Sequence, residues 1–196
     1  MDTNELTIRY AAGNRDFLEV CLRQAHLSEL YLAGINLSRS DLTGATLSSA
    51  NLRGAILSEV TLAEANLWRA NLSEAFMIWA NLRKASLIRA CLMRADLHKA
   101  NLTQSDLRLA DLRYADLSNT NLEGADLRYA DLSGANLAGA NLSKANLTGA
   151  KLYKADLYNV NLTKAILLRT DLCHADLSSI KLDGVDLRNV SWSEFA

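Results

Sequence analysis

The side chains best suited to metal ligation or nucleophilic chemistry are three histidines, His26, His98 and His174, and three cysteines, Cys21, Cys91 and Cys173. Only Cys173 and His174 are neighbours. In an extended segment adjacent side chains point apart, which makes a poor chelate. No glycine-rich phosphate loop, Ser–His–Asp order or H-E-x-x-H pattern occurs. The remaining polar chemistry is that of binding. Asp or Asn recurs directly before leucine along the chain, and arginines such as Arg69, Arg89, Arg108 and Arg128 alternate with Trp68 and Tyr129. Regularly spaced carboxylates can imitate a line of phosphates. Guanidinium groups beside aromatic rings can hold an anionic or single-stranded partner by charge and stacking.

The elements that position these groups follow from composition and period. The chain has 196 residues, with 21 Lys+Arg against 22 Asp+Glu and a formal net charge of −1. That balance argues against a nucleic-acid binder acting through overall positive charge. A hydrophobic fraction of 49% rules out a wholly disordered polymer. Proline is absent, as in a fold that uses nearly every backbone N–H. The first thirty residues contain Asp2, Glu5, Arg9, Arg15, Asp16, Glu19 and Arg23, unlike a signal peptide. The longest apolar run is Ala75–Ala80, far short of the ~20 residues of a membrane span. With an odd number of widely spaced cysteines and no disulfide framework, the expected setting is a reduced cytoplasm, with no membrane partner.

Leucine recurs at every fifth position from Leu22 to Leu187, broken only by Met77, and Phe17 and Trp192 extend the series. Two residues before each leucine stands a small or apolar residue, most often alanine. A five-residue period suits neither an α-helix, where the stripe would move by ~140° per repeat, nor a straight strand, where successive leucines would alternate faces. The conflict vanishes if the chain turns a corner once per repeat. Leu and Ala then fill a narrow core, and three positions of every five face outward.

Units such as Ala110-Asp111-Leu112-Arg113-Tyr114 and Ala135-Asn136-Leu137-Ala138-Gly139 resemble the pentapeptide-repeat family, whose unit is A(D/N)LXX. The segment from Leu6 to Phe17 resembles the lead-in of many cyanobacterial members. The resemblance implies an all-β fold, a right-handed quadrilateral β-helix with four pentapeptides per coil. On that basis residues 15–196 form roughly nine coils including a short C-terminal cap, in a rod on the order of 40 Å long. Residues 1–14 form an N-terminal cap. Within it the sequence predicts a short helix over 2–12, with Asp2 as N-cap, Gly13 just past the end, and Leu6 and Tyr10 over the first coil. Trp192 and Phe195 either plug the last coil or join two copies end to end, so the chain is a monomer or an end-to-end dimer.

Twenty residues per coil sort the outward positions into columns. The leading candidate surface is Ile56, Phe76, Ile78 and Trp79, apolar groups where this sequence mostly places Ser, Thr, Arg, Lys or Gly. A second surface carries Trp68, Arg69, Ile88, Arg89, Arg108, Arg128 and Tyr129, with Asp106 and Asp126 alongside to offset part of the charge. A third is the acidic column Asp96, Asp116, Asp156 and Asp176. Some family members are thought to mimic DNA and engage type II topoisomerases. Against that, a short Asp side chain also has a structural use, bonding the turn backbone. The histidines fall on three different faces, and Cys91 and Cys173 lie about four coils apart, too far for a disulfide. No metal or cofactor is expected. The sequence thus points to a non-enzymatic protein-interaction module or scaffold with an unidentified protein partner. A DNA-mimicking modulator of gyrase is the alternative, and nucleic acid is not an expected partner.

Overall fold

The computed structural model describes residues 1–175, together with Ser179, Ile180, Leu182, Gly184, Val185, Leu187, Val190 and Ser191. From Asp16–Asn36 to Lys151–Asp171 every fifth residue forms a parallel bridge with the residue twenty positions on, and Asp171 bridges Ser191 in the same way. One coil therefore takes twenty residues in four five-residue units. Each unit holds one extended bridging residue, an inward leucine and a two-residue turn.

The unit around Leu107 shows how the backbone is satisfied. The Asp106 N–H donates to Ala85 O (2.9 Å), in the preceding coil. Those of Leu107 and Leu109 donate to Asp126 O (2.7 Å) and Arg128 O (3.0 Å), in the following one. The Ala110 N–H closes the turn on Leu107 O (3.0 Å). Only the Arg108 N–H is left over, and it donates to Asp106 Oδ1 (3.2 Å). The same side-chain bond recurs wherever Asp or Asn precedes the central leucine from Asn36 to Asp171, for example at Asn36, Asn66, Asp96, Asn121, Asp156 and Asp171. Each of the five N–H groups in the Leu107 unit has an acceptor. Proline would remove one wherever it stood.

The leucines and the alanines two places before them form one continuous buried core. Where the alanine slot carries a hydroxyl, the hydroxyl bonds a carbonyl inside the coil: Ser105 Oγ to Leu102 O (2.7 Å), Thr120 Oγ1 to Leu117 O (2.7 Å) and Thr170 Oγ1 to Leu147 O (2.9 Å). Buried hydroxyls are therefore tolerated without an unmet bond.

The N-terminal end of the core is closed by α1, Thr3–Ala11. Asp2 is its N-cap, and Asp2 Oδ1 accepts from the Glu5 N–H (2.8 Å). Gly13 follows the cap residue Ala12 with φ +94°, a conformation that favours glycine. Leu6 and Tyr10 are buried over the first coil, and the Tyr10 hydroxyl donates to Ala33 O (2.8 Å). Trp192 and Phe195, expected at the opposite end, lie outside the described residues.

The core leaves no room for a larger inward side chain. Ala110→Leu is expected to destabilise the protein by about 1–3 kcal/mol through overpacking. Leu107→Ala should cost about 2–5 kcal/mol through a cavity. Denaturant midpoints measure both. Equal midpoints for Ala110→Leu and the unaltered chain would show that the core is looser than this packing requires.

Candidate functional site

The three surfaces sit on the outer wall of the coils, so their geometry depends on where each side chain leaves the five-residue unit. Ile56 and Phe76 occupy the bridging position and pair with each other across adjacent coils. Both are exposed, as is Trp79, the second residue of the turn that follows Met77. Ile78 is only half-buried beside them. Phe76 is 50% and Trp79 58% accessible, values that leave most of each ring edge free for contact. Lys99 does not pair with Asp96. Its Nζ lies 4.7 Å from the Trp79 ring centroid, one coil on.

At Ile56 and Phe76 the repeat gives up its turn acceptor. The N–H groups of Ser58 and Ile78, which correspond to the Arg108 N–H, have no such side-chain oxygen two residues back. The site therefore replaces a structural hydrogen bond with exposed apolar surface in two successive coils.

On the second surface, each of two arginines folds onto the aspartate of its own unit. Arg108 Nε and Nη2 donate to Asp106 Oδ1 and Oδ2 at 2.8 and 2.7 Å. Arg128 does the same with Asp126 at 2.9 and 2.6 Å. Arg108 Nε also lies 3.8 Å from Asp126 Oδ2, so the pairs connect between coils. Arg113 and Asp111 repeat the arrangement on the neighbouring side of the coil. The Arg69 guanidinium lies 4.7 Å from the Trp68 ring centroid. Between the columns runs a groove of about 290 Å³, lined by Ile88, Arg108, Leu109, Arg128 and Tyr129. Its outer wall is fixed by a size match. The Tyr129 ring lies over Gly149, where a Cβ would come within 2.6 Å of the ring. Tyr114 lies over Gly134 in the same way. These large-over-small pairs, twenty residues apart, are a sequence signal for the seated rings.

In the acidic column, Asp96 and Asp116 are bridged neighbours. Asn136 Nδ2 donates to Asp116 Oδ1 (3.2 Å), and Asp156 follows beyond it. Asp96, Asp116 and Asp156 each commit Oδ1 to a turn N–H, those of His98, Ser118 and Tyr158. Asp176 lies outside the described residues. His98 Nδ1 is 2.8 Å from Ser118 Oγ. Among the described residues, no three His, Cys, Asp or Glu side chains converge in a way that could hold a metal ion. No helix among them is long and apolar enough to cross a membrane.

The chain belongs to the pentapeptide repeat family: the family model described as "Pentapeptide repeats" matches residues 21–58, 61–98, 90–128, 130–167 and 152–189. That membership implies a right-handed β-helix, and no catalytic family is indicated. The chain is 36% identical to HetL, a pentapeptide repeat protein involved in heterocyst differentiation regulation from the cyanobacterium Nostoc sp. strain PCC 7120. That match covers 97% of this chain and 96% of HetL, with a TM-score of 0.35. It is 39% identical to alr5209, a pentapeptide repeat protein from Nostoc PCC 7120, over 46% of this chain and 77% of that one, with a TM-score of 0.23. A trypsin-treated form of QnrB1, a plasmid-mediated fluoroquinolone resistance protein, is 22% identical, covering 90% of this chain and 91% of its own, with a TM-score of 0.46. No curated protein matches the chain.

The Arg–Asp pairs make stability depend on acid. The Asp111 carboxyl is held below its ordinary value, chiefly by the Arg113 side-chain bonds, which outweigh burial. For Asp126, burial works to raise the value but is outweighed by the Arg128 side-chain bonds, the Arg128 N–H and the charges of Arg128 and Arg108. A carboxyl depressed in the folded state stabilises the fold above its unfolded pKa of about 3.9, and that contribution is lost as pH falls through the folded value. Asp111→Asn plus Asp126→Asn keeps the turn bonds but cannot titrate. The melting temperature of the unaltered chain should therefore fall further than that of this variant between about pH 5 and about pH 2. Parallel curves would show that the pairs contribute nothing to folding.

Proposed function

We propose that the chain is a non-enzymatic protein-interaction module or scaffold of the cytoplasm. It is a right-handed quadrilateral β-helix that engages a protein partner through Ile56, Phe76, Ile78 and Trp79. The observation that carries this reading is the exchange at Ile56 and Phe76. Where the stacked units on either side, at Asn36 and Asp96, hold Asn or Asp to accept a turn N–H, these two expose large apolar side chains instead. A turn acceptor contributes about 0.5–1.5 kcal/mol, and giving it up in two successive coils brings no gain to folding. Local rules broken without a structural return mark places where function sets the residue. Trp79 adds a broad aromatic face, and aromatic side chains dominate the energetics of protein interfaces.

The acidic column supports the gyrase reading less well. One oxygen of each described aspartate serves the turn, an asparagine interrupts the series, and the chain as a whole is nearly neutral.

The exchange can be reversed. Ile56→Asn plus Phe76→Asn restores the side-chain acceptor in both units. This variant should be more stable than the unaltered chain by about 1–3 kcal/mol in total, yet lose partner binding. Phe76→Ser plus Trp79→Ser should lose binding with the fold intact by circular dichroism. Pull-downs from the source lysate, with all three baits, provide the binding readout. A partner retained by both variants would refute the site. A supercoiling assay run beside them separates the alternative, because inhibition or protection of gyrase by all three proteins would favour the aspartate column.

A further inference from the structure

From the groove beside Ile88, Leu109 and Tyr129 we infer a second docking site, one that takes a short acidic peptide with a single apolar anchor. The inference extends the protein-binding reading but uses different residues, two five-residue sides around the coil from Phe76.

The first argument is size. About 290 Å³ lies at the lower edge of what a whole small-molecule ligand needs, and suits one leucine- or phenylalanine-sized side chain. Three apolar groups, Ile88, Leu109 and Tyr129, are there to receive it.

The second argument is charge. Arg108 and Arg128 are already neutralised by Asp106 and Asp126. Arg69 and Arg89, next in line with Leu109 and Tyr129 at the same turn position, have no described carboxylate within 4.0 Å; Arg69 rests on Trp68. The rim thus carries two unbalanced guanidinium groups on the N-terminal side of the groove. Carboxylates that flank an apolar anchor would meet them. Coils are spaced ~4.8 Å apart, so the stretch from Trp68 to Tyr129 spans three coil steps. An extended peptide of about four residues covers that distance.

The third argument is preorganisation. The bidentate bonds hold the Arg108 and Arg128 guanidiniums down on their own aspartates, as fixed parts of the groove's lining. Tyr129 is seated over Gly149, whose φ of +68° favours glycine and whose missing Cβ makes room for the ring. The walls are set before the peptide arrives, which lowers the entropic cost of binding. A nucleic-acid strand fits less well. It would bring a phosphate at every step, whereas the rim carries only the two unbalanced guanidiniums of Arg69 and Arg89, both at one end of the groove.

The test uses the full chain and two fluorescein-labelled hexapeptides, both flanked by glutamates, with a central leucine in one and serine in the other. Fluorescence anisotropy should show saturable binding of the leucine peptide in the micromolar range at low salt. The serine peptide should bind at least about tenfold more weakly. Arg89→Glu, and independently Leu109→Ser, should each weaken the leucine peptide by about tenfold or more, while circular dichroism shows the fold retained. Phe76→Ser plus Trp79→Ser should leave the affinity unchanged, so this site fails or survives separately from the first. Four results would overturn the inference. They are no saturable binding, equal affinity for the two peptides, an effect of the Phe76/Trp79 variant with none from Arg89→Glu, and tighter binding of an oligothymidylate than of the leucine peptide.

Discussion

One backbone N–H per repeat decides much of this molecule. Stacking coils satisfies the N–H groups of the bridging residue, the leucine and the second turn residue, and the turn itself satisfies the next. The first turn residue is left with its N–H pointing outward. An Asp or Asn three atoms long, directly before the leucine, is the right length to accept it from the same unit. The A(D/N)LXX pattern therefore has a physical origin in each letter. Alanine and leucine fill the core, the polar residue completes the backbone, and the last two positions bend the chain. The absence of proline follows from the same accounting.

Because folding consumes the polar position, the outer wall is where the chain has freedom, and the freedom is unequal. A residue there either completes a turn or does something else. Asp96 and Asp116 complete turns, so their presence in a column needs no ligand to explain it. Phe76 completes nothing and stands 50% exposed. Arg108 and Arg128 are intermediate. Their backbone N–H groups need the aspartates, and their side chains then fold onto the same carboxylates. The charge of these two arginines is thereby neutralised pair by pair on the surface.

Much of the architecture was legible in the sequence because the core repeats without a slip. The inward leucines, the small alanine slots, the N-cap at Asp2 and the role of Gly13 all follow from local physical rules, and the helix differs from its expected span only at the ends. Side-chain direction was less accessible. Lys99 stands in the same column as Trp79, one coil on, but the spacing does not show that its ammonium folds back over the ring. Ile78, grouped with the exposed cluster, is half-buried between its neighbours. The groove depends on two rotamers folding onto aspartates and on one tyrosine ring seated over a glycine. Sequence spacing fixes which side chains are neighbours; it does not fix which of the allowed rotamers each adopts.

The same distinction explains why residue type alone is a poor guide to function on this wall. A row of aspartates is the most conspicuous feature of the outer surface, yet the repeat would place acids or amides there for the backbone's sake. The informative positions are those where the unit departs from its own requirement. Tyr31 is a further such place, exposed at the bridging position, and Ile166 is another, with Leu168 half-buried two residues on. Ile166 lies on the same side of the coil as Ile88 and Arg108, four coil steps beyond Ser86, another unit without the acidic residue. Departures on that side therefore bracket the groove and its Arg–Asp pairs, whereas those at Ile56 and Phe76 are consecutive. A single contact explains the consecutive pair. The bracketed wall instead offers a groove whose polar units are intact and whose apolar neighbours lie beyond them along the rod. On the proposed reading, the two sides suit contacts of different shape, compact on one and elongated on the other.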